Sequence, residues 1–317
     1  MRASRNRGIK MSLGVLAALA ISGLSLQATT VNPLSEWCII TSGDLANVSD
    51  FYGNAYVGGN VTVQNSFDAA INDGNTMPSG NASLSVAGNI NSGGAIQVNA
   101  GNVVVGGTIS SGRTVNMNSQ GTVSQGNTSL LPSSPVAQVT SSSLYWSALA
   151  ANSSASANNN VLTLNCSQSS TLAVFNLTAS QLLGTANQNI ALSASSSTKQ
   201  IIINVSGLNA SELTSVNFLS SFASQANSVI FNFYQATKVS LSSETYGYVV
   251  APGATVSSVA PIVGGVMCET LDTSSEVELS GTPNYTSASV PDGASTAALL
   301  GLALSGLAVI RRKFLHS

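Results

Sequence analysis

Short runs in which apolar and polar residues alternate fill the first half of the chain. Each run spans about four to six residues, and Gly-Gly, Gly-Asn or Ser-Gly steps separate the runs. The predicted strands lie within 54–63, 83–90, 95–109 and 114–118. Their small or β-branched apolar residues suit a β-helix, in which each short strand stacks on the next coil and buries one narrow face. A plain β-sandwich is the alternative.

The second half contains further apolar runs after a break at 131–135. We predict a helix over 141–151, because Leu144 and Leu149 fit helical spacing, and expect it to pack along the side of the sheet. Strands are predicted within 160–164, 172–177, 190–192, 200–206, 228–233, 238–241, 246–256, 262–267 and 277–279. The run 200–206 is strongly apolar, so we expect it to be central.

These patterns predict a mainly β protein, specifically a β-helix or solenoid with one lateral α-helix. Inward strand residues of a solenoid touch their neighbours in adjacent coils, so Ile202 and Ile230 should be buried. Asn204 and Asn232 should either lie outside or form a stacked polar ladder.

The N-terminus is typical of a secretory signal peptide, which we assign to residues 1–28. An apolar stretch over 11–26 and small residues before 28 follow a basic beginning. The basic residues are Arg2, Arg5, Arg7 and Lys10. We therefore expect an N-terminal signal helix that is removed on export.

The C-terminus resembles a membrane segment with a cytoplasmic stop. The stretch 294–310 contains no charge and is close to the shortest helix that crosses a bilayer. Arg311, Arg312 and Lys313 follow directly, as the positive-inside rule predicts for a cytoplasmic C-terminus.

A short motif precedes this apolar stretch. Val290, Pro291, Asp292 and Gly293 stand before it, and this order of motif, apolar helix and basic end resembles the PEP-CTERM class of sorting signals, in the variant with Val-Pro-Asp. The resemblance implies that an exosortase-like membrane protease processes the segment 289–317 and releases or re-anchors the protein outside the cell. An ordinary C-terminal anchor is the alternative.

Basic charge is concentrated at the two ends, which hold seven of the ten Lys and Arg residues. The segment 29–290 has three basic and eleven acidic residues, a net charge of −8. Such a domain lacks the basic patch that nucleic acid or an anionic membrane surface would require. The intervening polar residues alternate with Val, Ile and Leu, which favours an ordered β protein over a disordered one.

The cysteines leave two possibilities open. Cys38, Cys166 and Cys268 lie too far apart in sequence for a zinc cluster. In an exported protein two of them could form a disulfide, although the sequence does not say which two. Buried free thiols are the other possibility.

The segment 45–285 resembles the choice-of-anchor A family. Its order of motifs carries the resemblance: Asn-Ala-Tyr-Val-Gly-Gly-Asn at 54–60, Ile-Ile-Ile-Asn-Val-Ser-Gly at 201–207, Val-Ile-Phe-Asn-Phe-Tyr-Gln-Ala at 229–236 and Val-Val-Ala-Pro-Gly-Ala at 249–254. The resemblance implies a secreted surface protein whose adhesive β-helical domain occupies residues 29–288. This chain lacks the stalk repeats of longer members.

The sequence offers no complete catalytic set built on histidine. The only histidine, His316, stands in the tail, so the exported part has no Ser-His-Asp or Cys-His pair and no histidine metal site. Carboxylates could still form a glycosidase pair. The candidates are Asp68 with Asp73, and Glu269 with Asp272, Glu276 and Glu278. Solvated loop and edge positions are the more economical interpretation of both groups.

These observations predict a non-enzymatic, exported surface or matrix protein without a cofactor. Rows of Ser, Thr and Asn could bind glycans or exopolysaccharide through regular hydrogen bonds. An ice-binding protein is the second hypothesis, although its threonines should form a more regular array. A polysaccharide-active β-helix enzyme is the third.

Overall fold

The computed structural model describes residues 33–71, 82–167, 170–185, 188–211 and 216–279. Within these ranges the protein is mainly β, which confirms the predicted class. The signal helix and the C-terminal apolar segment lie outside the described residues, so they and the domain boundaries at 28 and 288 stay predictions. None of the described helices is long and apolar enough to span a bilayer.

The strands are short and are numbered in chain order. Those of the first half are β1 Ile39–Thr41, β2 Leu45–Asn47, β3 Phe51–Tyr52, β4 Ala55–Val57, β5 Phe67–Ala69, β6 Leu84–Val86, β7 Ile96–Val98, β8 Val103–Val105, β9 Val115–Met117, β10 Val123–Gln125, β11 Ser154–Asn158 and β12 Val161–Asn165. Those of the second half are β13 Leu172–Thr178, β14 Asn189–Ser193, β15 Gln200–Ser206, β16 Asn209–Ser211, β17 Asn217–Phe218, β18 Val229–Asn232, β19 Lys238–Leu241, β20 Thr245–Tyr246, β21 Tyr248–Ser258, β22 Ile262–Val263, β23 Val266–Thr273 and β24 Val277–Glu278.

The helices are few and mostly one turn long. They are α1 Pro33–Glu36, α2 Val136–Ser147, α3 Ala179–Leu183 and α4 Ser220–Ala223, with 3₁₀ turns at Thr128–Leu130 and Ala226–Ser228. The helix α2 begins and ends earlier than the predicted 141–151. It starts directly after Pro135, and after Ala148 the chain turns to bond with β13 through Asn152 and Ser153.

Nearly all strand pairs in the described residues are parallel. The largest sheet follows the order β10-β8-β6-β4-β1-β23-β21-β18-β15-β13, and three smaller sheets have the orders β11-β12-β14-β17, β20-β22-β24-β3 and β5-β7-β9. The pair β11–β12 is the antiparallel exception. The strand β15 is paired on both sides, with β13 and β18, and is buried on both faces, although only β13 separates it from the end of the sheet.

Alternate strand residues point inward and form the main core. In β8, for example, Val103 and Val105 are fully buried, and they pair with the equally buried Leu84 and Val86 of β6. The core repeats this arrangement from sheet to sheet with aliphatic residues and a cluster of Phe218, Phe222 and Phe231 in the second half.

The outer side of the largest sheet is also covered. Helix α2 packs on β15, β18 and β21, and α1 packs on α2. A second apolar cluster results, in which Trp146 of α2 and Trp37 meet the outward residues Ile202, Ile230 and Tyr248. The predicted burial of Ile202 and Ile230 is confirmed. The helix therefore does pack along the side of the sheet.

A stacked asparagine ladder joins α2 to this sheet. Asn176, Asn204 and Asn232 pair in register on β13, β15 and β18, and each amide Nδ2 of the last two donates to the preceding Oδ1 at 2.9 and 2.8 Å. The same amides donate to the carbonyls of Trp146 at 2.7 Å and Ser143 at 2.9 Å. The polar-ladder alternative is thus the correct one for Asn204 and Asn232.

Candidate functional site

One surface of the molecule displays two rows of mostly polar residues, which we call the polar face. Strands β16, β19, β2 and the second halves of β21 and β23 form it, and single bridges continue it through Val61, Ile90 and Ile109. Between the buried inward residues, the outward ones are exposed or half-buried. The first row is Asn209, Lys238, Thr255, Thr270, Asp44, Asn60, Asn89 and Thr108; the second is Ser240, Ser257, Asp272, Ala46, Thr62, Asn91 and Ser110.

The register of neighbouring strands aligns the first row, whereas the second row is offset at β2, where a register shift pairs Asp272 with Asn47. Thr255 pairs with both Lys238 and Thr270, and Leu45 pairs with Leu271, which places Asp44 beside Thr270. At the usual strand spacing the eight positions of the first row extend over about 34 Å. The polar face is therefore long, narrow and free of aromatic side chains.

Side-chain hydrogen bonds fix one end of the first row. The Oδ1 atom of Asp44 accepts from the backbone N–H of Asn60 at 2.7 Å, and Oδ1 of Asn60 accepts from the N–H of Asn89 at 3.0 Å. Asn89 then accepts from the N–H of Thr108 at 2.9 Å. This corner ladder satisfies backbone donors where the chain turns between sheets, and it holds the polar groups at regular intervals.

Glycine precedes each of these corner residues because the backbones approach closely. A Cβ at Gly88 would lie 2.5 Å from the carbonyl oxygen of Gly59, and a Cβ at Gly107 would lie 2.8 Å from that of Gly88. The sequence repeats this feature as glycine, then Asp, Asn or Thr, then an aliphatic residue at 43–45, 59–61, 88–90 and 107–109. That repeat was the available signal for the polar face, which the strand-by-strand interpretation missed.

The acidic residues proposed as catalytic pairs are distributed over different sheets and loops. Asp272 lies on the polar face, Glu269 lies three residues before it on β23, Glu278 lies on β24 in a different sheet, and Glu276 precedes β24. Asp68 is half-buried on β5, where its backbone N–H donates to Asp50, and Asp73 lies outside the described residues. Within the described ranges no three His, Cys, Asp or Glu residues are grouped as metal ligands.

The three cysteines are free and buried. Burial raises the pKa of the Cys166 thiol to about 11, and it raises the pKa values of the Cys38 and Cys268 thiols further. The Cys38 thiol donates to the carbonyl of Val277 at 3.2 Å. Of the two possibilities left open by the sequence, buried free thiols are the observed one.

The polar face offers hydrogen-bond donors and acceptors rather than reactive groups. Its hydroxyls and amides are neutral, and the charged members are Lys238 at one end with Asp44 and Asp272 nearer the middle.

Two family models match the chain. The model described as a putative ice-binding-like adhesive domain matches residues 30–279, so the chain belongs to that family of adhesive domains. The model of the VPDSG-CTERM motif matches residues 289–314, the segment that contains Val290, Pro291 and Asp292. An adhesive domain followed by a PEP-CTERM-like sorting signal is therefore the organisation of this exported surface protein.

The matches also mark two differences. Gly293 directly follows Asp292, where the motif's name places a serine before the glycine. The matching domain family has a different name from choice-of-anchor A, so that assignment stays a resemblance. No curated protein and no solved structure matches the chain.

Proposed function

We propose that this protein is a β-solenoid adhesin that presents its polar face to glycans outside the cell. The solenoid is supported by parallel pairs that join strands in chain order, such as β4 with β6 and β6 with β8. Three stacks of parallel strands, connected by turns at the glycine corners, surround one core. In the proposed solenoid the strands therefore repeat as stacked coils. An antiparallel sandwich would not give this pairing.

The observation that carries the proposal is the pair of mostly polar rows. Polysaccharides present repeated hydroxyls, and a row of Ser, Thr and Asn at strand spacing offers donors and acceptors along the same direction. Each bond is weak on its own, but linked contacts along one chain raise the overall affinity steeply. The acidic net charge favours a neutral glycan over an anionic one, because like charges repel.

Glycan binding by the full-length protein in detergent tests the proposal. The variant Thr255→Leu with Thr270→Leu removes two neighbouring hydroxyls from the middle of the first row. The matched control Ser154→Leu with Ser156→Leu changes exposed residues on β11, away from the polar face. We expect binding to neutral polysaccharides by the wild type and the control, and at least a several-fold loss in the polar-face variant. Equal binding by all three would refute the role of the polar face.

We infer that the two ends of the chain deliver the domain to the surface. Residues 1–28 direct export, and 294–310 hold the protein in the membrane until an exosortase-like protease acts near Val290–Gly293. Arg311, Arg312 and Lys313 keep the end of the tail in the cytoplasm. The match to the sorting motif supports this sequence of events.

The mass of the exported protein tests this sorting. Replacing Pro291 and Asp292 with alanine should leave a longer species in the membrane fraction, because the protease loses its motif while the apolar segment stays. Replacing Pro283 and Asn284 with alanine is the control and should not alter processing. If the wild-type surface protein still ends at Ser317, the segment is a simple anchor.

Ice binding is the second candidate, and the family description favours it. The neighbouring Thr255 and Thr270 resemble the start of a threonine array. Lys238, Asp44 and Asp272 interrupt that array, because charged groups retain their own hydration. Thermal hysteresis and ice shaping separate the two functions: their presence in the wild type and loss in Thr255→Leu with Thr270→Leu would replace the glycan proposal.

The separation of the carboxylates supports a non-enzymatic role. A glycosidase needs two carboxyl groups across one sugar bond, whereas Asp272 and Glu278 lie on different sheets. This part of the proposal would be overturned if the wild type cleaved a bound polysaccharide and the Asp272→Asn variant did not.

A further inference from the structure

The two ends of the stacked sheets differ in how their outer edges are covered. At the end formed by β12 and β13, the antiparallel strand β11 pairs with β12, and α3 contacts β16. The backbone N–H groups of Asn152 and Ser153 both donate to the carbonyl of Val174 in β13, each at 3.2 Å. At this end β11 is the outer strand of its sheet, and the bonds to Val174 cover part of the edge of β13.

At the opposite end, β9 and β10 are edge strands. Strand β9 pairs with β7, and β10 pairs with β8, and no described residue pairs with the outer edge of either strand. Ile109, at the same end of the molecule, has its backbone N–H satisfied, because the side-chain Oε1 of Gln125 accepts from it at 2.8 Å. Two adjacent strands thus present unpaired backbone groups in the same direction.

The core is also incompletely covered at this end. Val115 and Met117 of β9 are half-buried, and Val123 of β10 is 40% exposed, whereas the corresponding Val103 and Val105 one coil away are fully buried. Edge strands of soluble proteins usually carry charges that prevent association. Here no acidic residue occurs between Asp73 and Glu212, and the nearby cation Arg113 is buried.

We propose that a second copy of this chain docks on the β9–β10 end and forms an end-to-end dimer with two-fold symmetry. A two-fold axis through the corner between the strands places β9 of each copy antiparallel to β10 of the other, so both edges are paired at once. Such an interface is self-complementary and closes at two copies. The inference rests on strand pairing and is independent of glycan binding.

Cysteine cross-linking tests the pairing directly. Asn116 and Ser124 are the middle residues of β9 and β10, and antiparallel neighbours have the Cα separation that a disulfide requires. We expect a mixture of Asn116→Cys and Ser124→Cys full-length proteins in detergent to form disulfide-linked dimers, and each protein alone to stay unlinked. The native thiols are buried and should not interfere. Ser156→Cys on β11, at the opposite end of the stacked sheets, is the control.

Charge substitution provides a second measurement. Asn116→Asp with Ser124→Asp puts like charges opposite each other in the dimer and should halve the protein mass in analytical ultracentrifugation. Asn116→Lys with Ser124→Asp should restore the dimer, which a simple folding defect would not do. A wild-type monomer, an unlinked cysteine mixture, or equal linking through Ser156→Cys would overturn the proposal. Linking by Ser124→Cys alone would overturn the β9–β10 pairing.

Discussion

Arg113 is buried with little compensation for its charge. Its Nη1 atom donates to the carbonyl of Val63, and the guanidinium carbon lies 5.4 Å from the centre of the Phe67 ring. Its Nε and Nη2 atoms have no partner among the described residues, and burial lowers the pKa of the guanidinium. The cost of removing this charge from water is thus only partly offset.

Replacement of Arg113 with methionine tests this imbalance. Methionine retains the contact with Phe67 and removes the buried charge, so we expect the free energy of unfolding to rise by about 1 kcal/mol or more. Denaturant unfolding measures it. Lys199→Met, at an exposed position, is the control and should change stability by less than about 0.5 kcal/mol. A loss of stability in Arg113→Met would mean that the guanidinium is net stabilising.

The buried thiols predict how stability depends on pH. The pKa of Cys166 is about 11 in the folded protein against 9.0 as its ordinary value, so the unfolded state ionises first as the pH rises. We expect the free energy of unfolding to fall between pH 9 and pH 11. The variant Cys166→Ala should show a shallower decline in the same denaturant titrations. Identical profiles for the two proteins would contradict this assignment.

At the scale of elements, the asparagine ladder is the polar connection between α2 and the sheet. Removing the Asn232 side chain leaves the Ser143 carbonyl and the Asn204 Oδ1 atom without their donor. We expect Asn232→Ala to cost about 1–3 kcal/mol of unfolding free energy. Asn158→Ala, on the exposed strand β11, should stay within about 0.5 kcal/mol. Similar losses in both variants would show that the ladder adds nothing specific.

The glycine corners make an equally specific prediction. A Cβ at Gly88 would approach both the Gly59 carbonyl and the Asn60 side chain, whereas a Cβ at Gly253 would have only one neighbour, at 3.9 Å. We expect Gly88→Ala to lower the free energy of unfolding by about 1–3 kcal/mol through overpacking. Gly253→Ala should be close to neutral. Thermal and denaturant unfolding measure the stabilities of the two variants. An unchanged stability of Gly88→Ala would contradict the close approach of Gly88 to the Gly59 carbonyl.

The sequence predicted elements well where alternation was strong. Runs such as 200–206 and 172–177 became β15 and β13 almost unchanged, because their apolar residues fill the core whatever their partners are. Among the two-residue strands, β24 was predicted, whereas β3 was missed and β20 was merged with β21, since such short strands depend on pairing with strands distant in sequence. The boundaries of α2 were shifted because Pro135 and Asn152 act through contacts that periodicity does not contain.

At the scale of the whole molecule, the site was less predictable than the fold. Rows of Ser, Thr and Asn were expected, but their positions on one face follow from strand register between residues as distant as Asp44 and Thr270. Of the acidic residues considered as a glycosidase pair, Asp272 and Glu278 lie in different sheets. Basic residues concentrated at the two ends, together with an acidic domain whose polar face consists mainly of hydroxyl and amide groups, fit a protein delivered to the cell surface.

The central claim is tested most directly by a cell-attachment assay. Cells that display this protein are allowed to attach to a surface coated with neutral polysaccharide. Attachment is divided by the amount of protein displayed, so that sorting and adhesion are separated. We expect strong attachment by the wild type and by Ser154→Leu with Ser156→Leu, and a several-fold loss per displayed molecule in Thr255→Leu with Thr270→Leu. Equal attachment by all three proteins at equal display would contradict adhesion through the polar face.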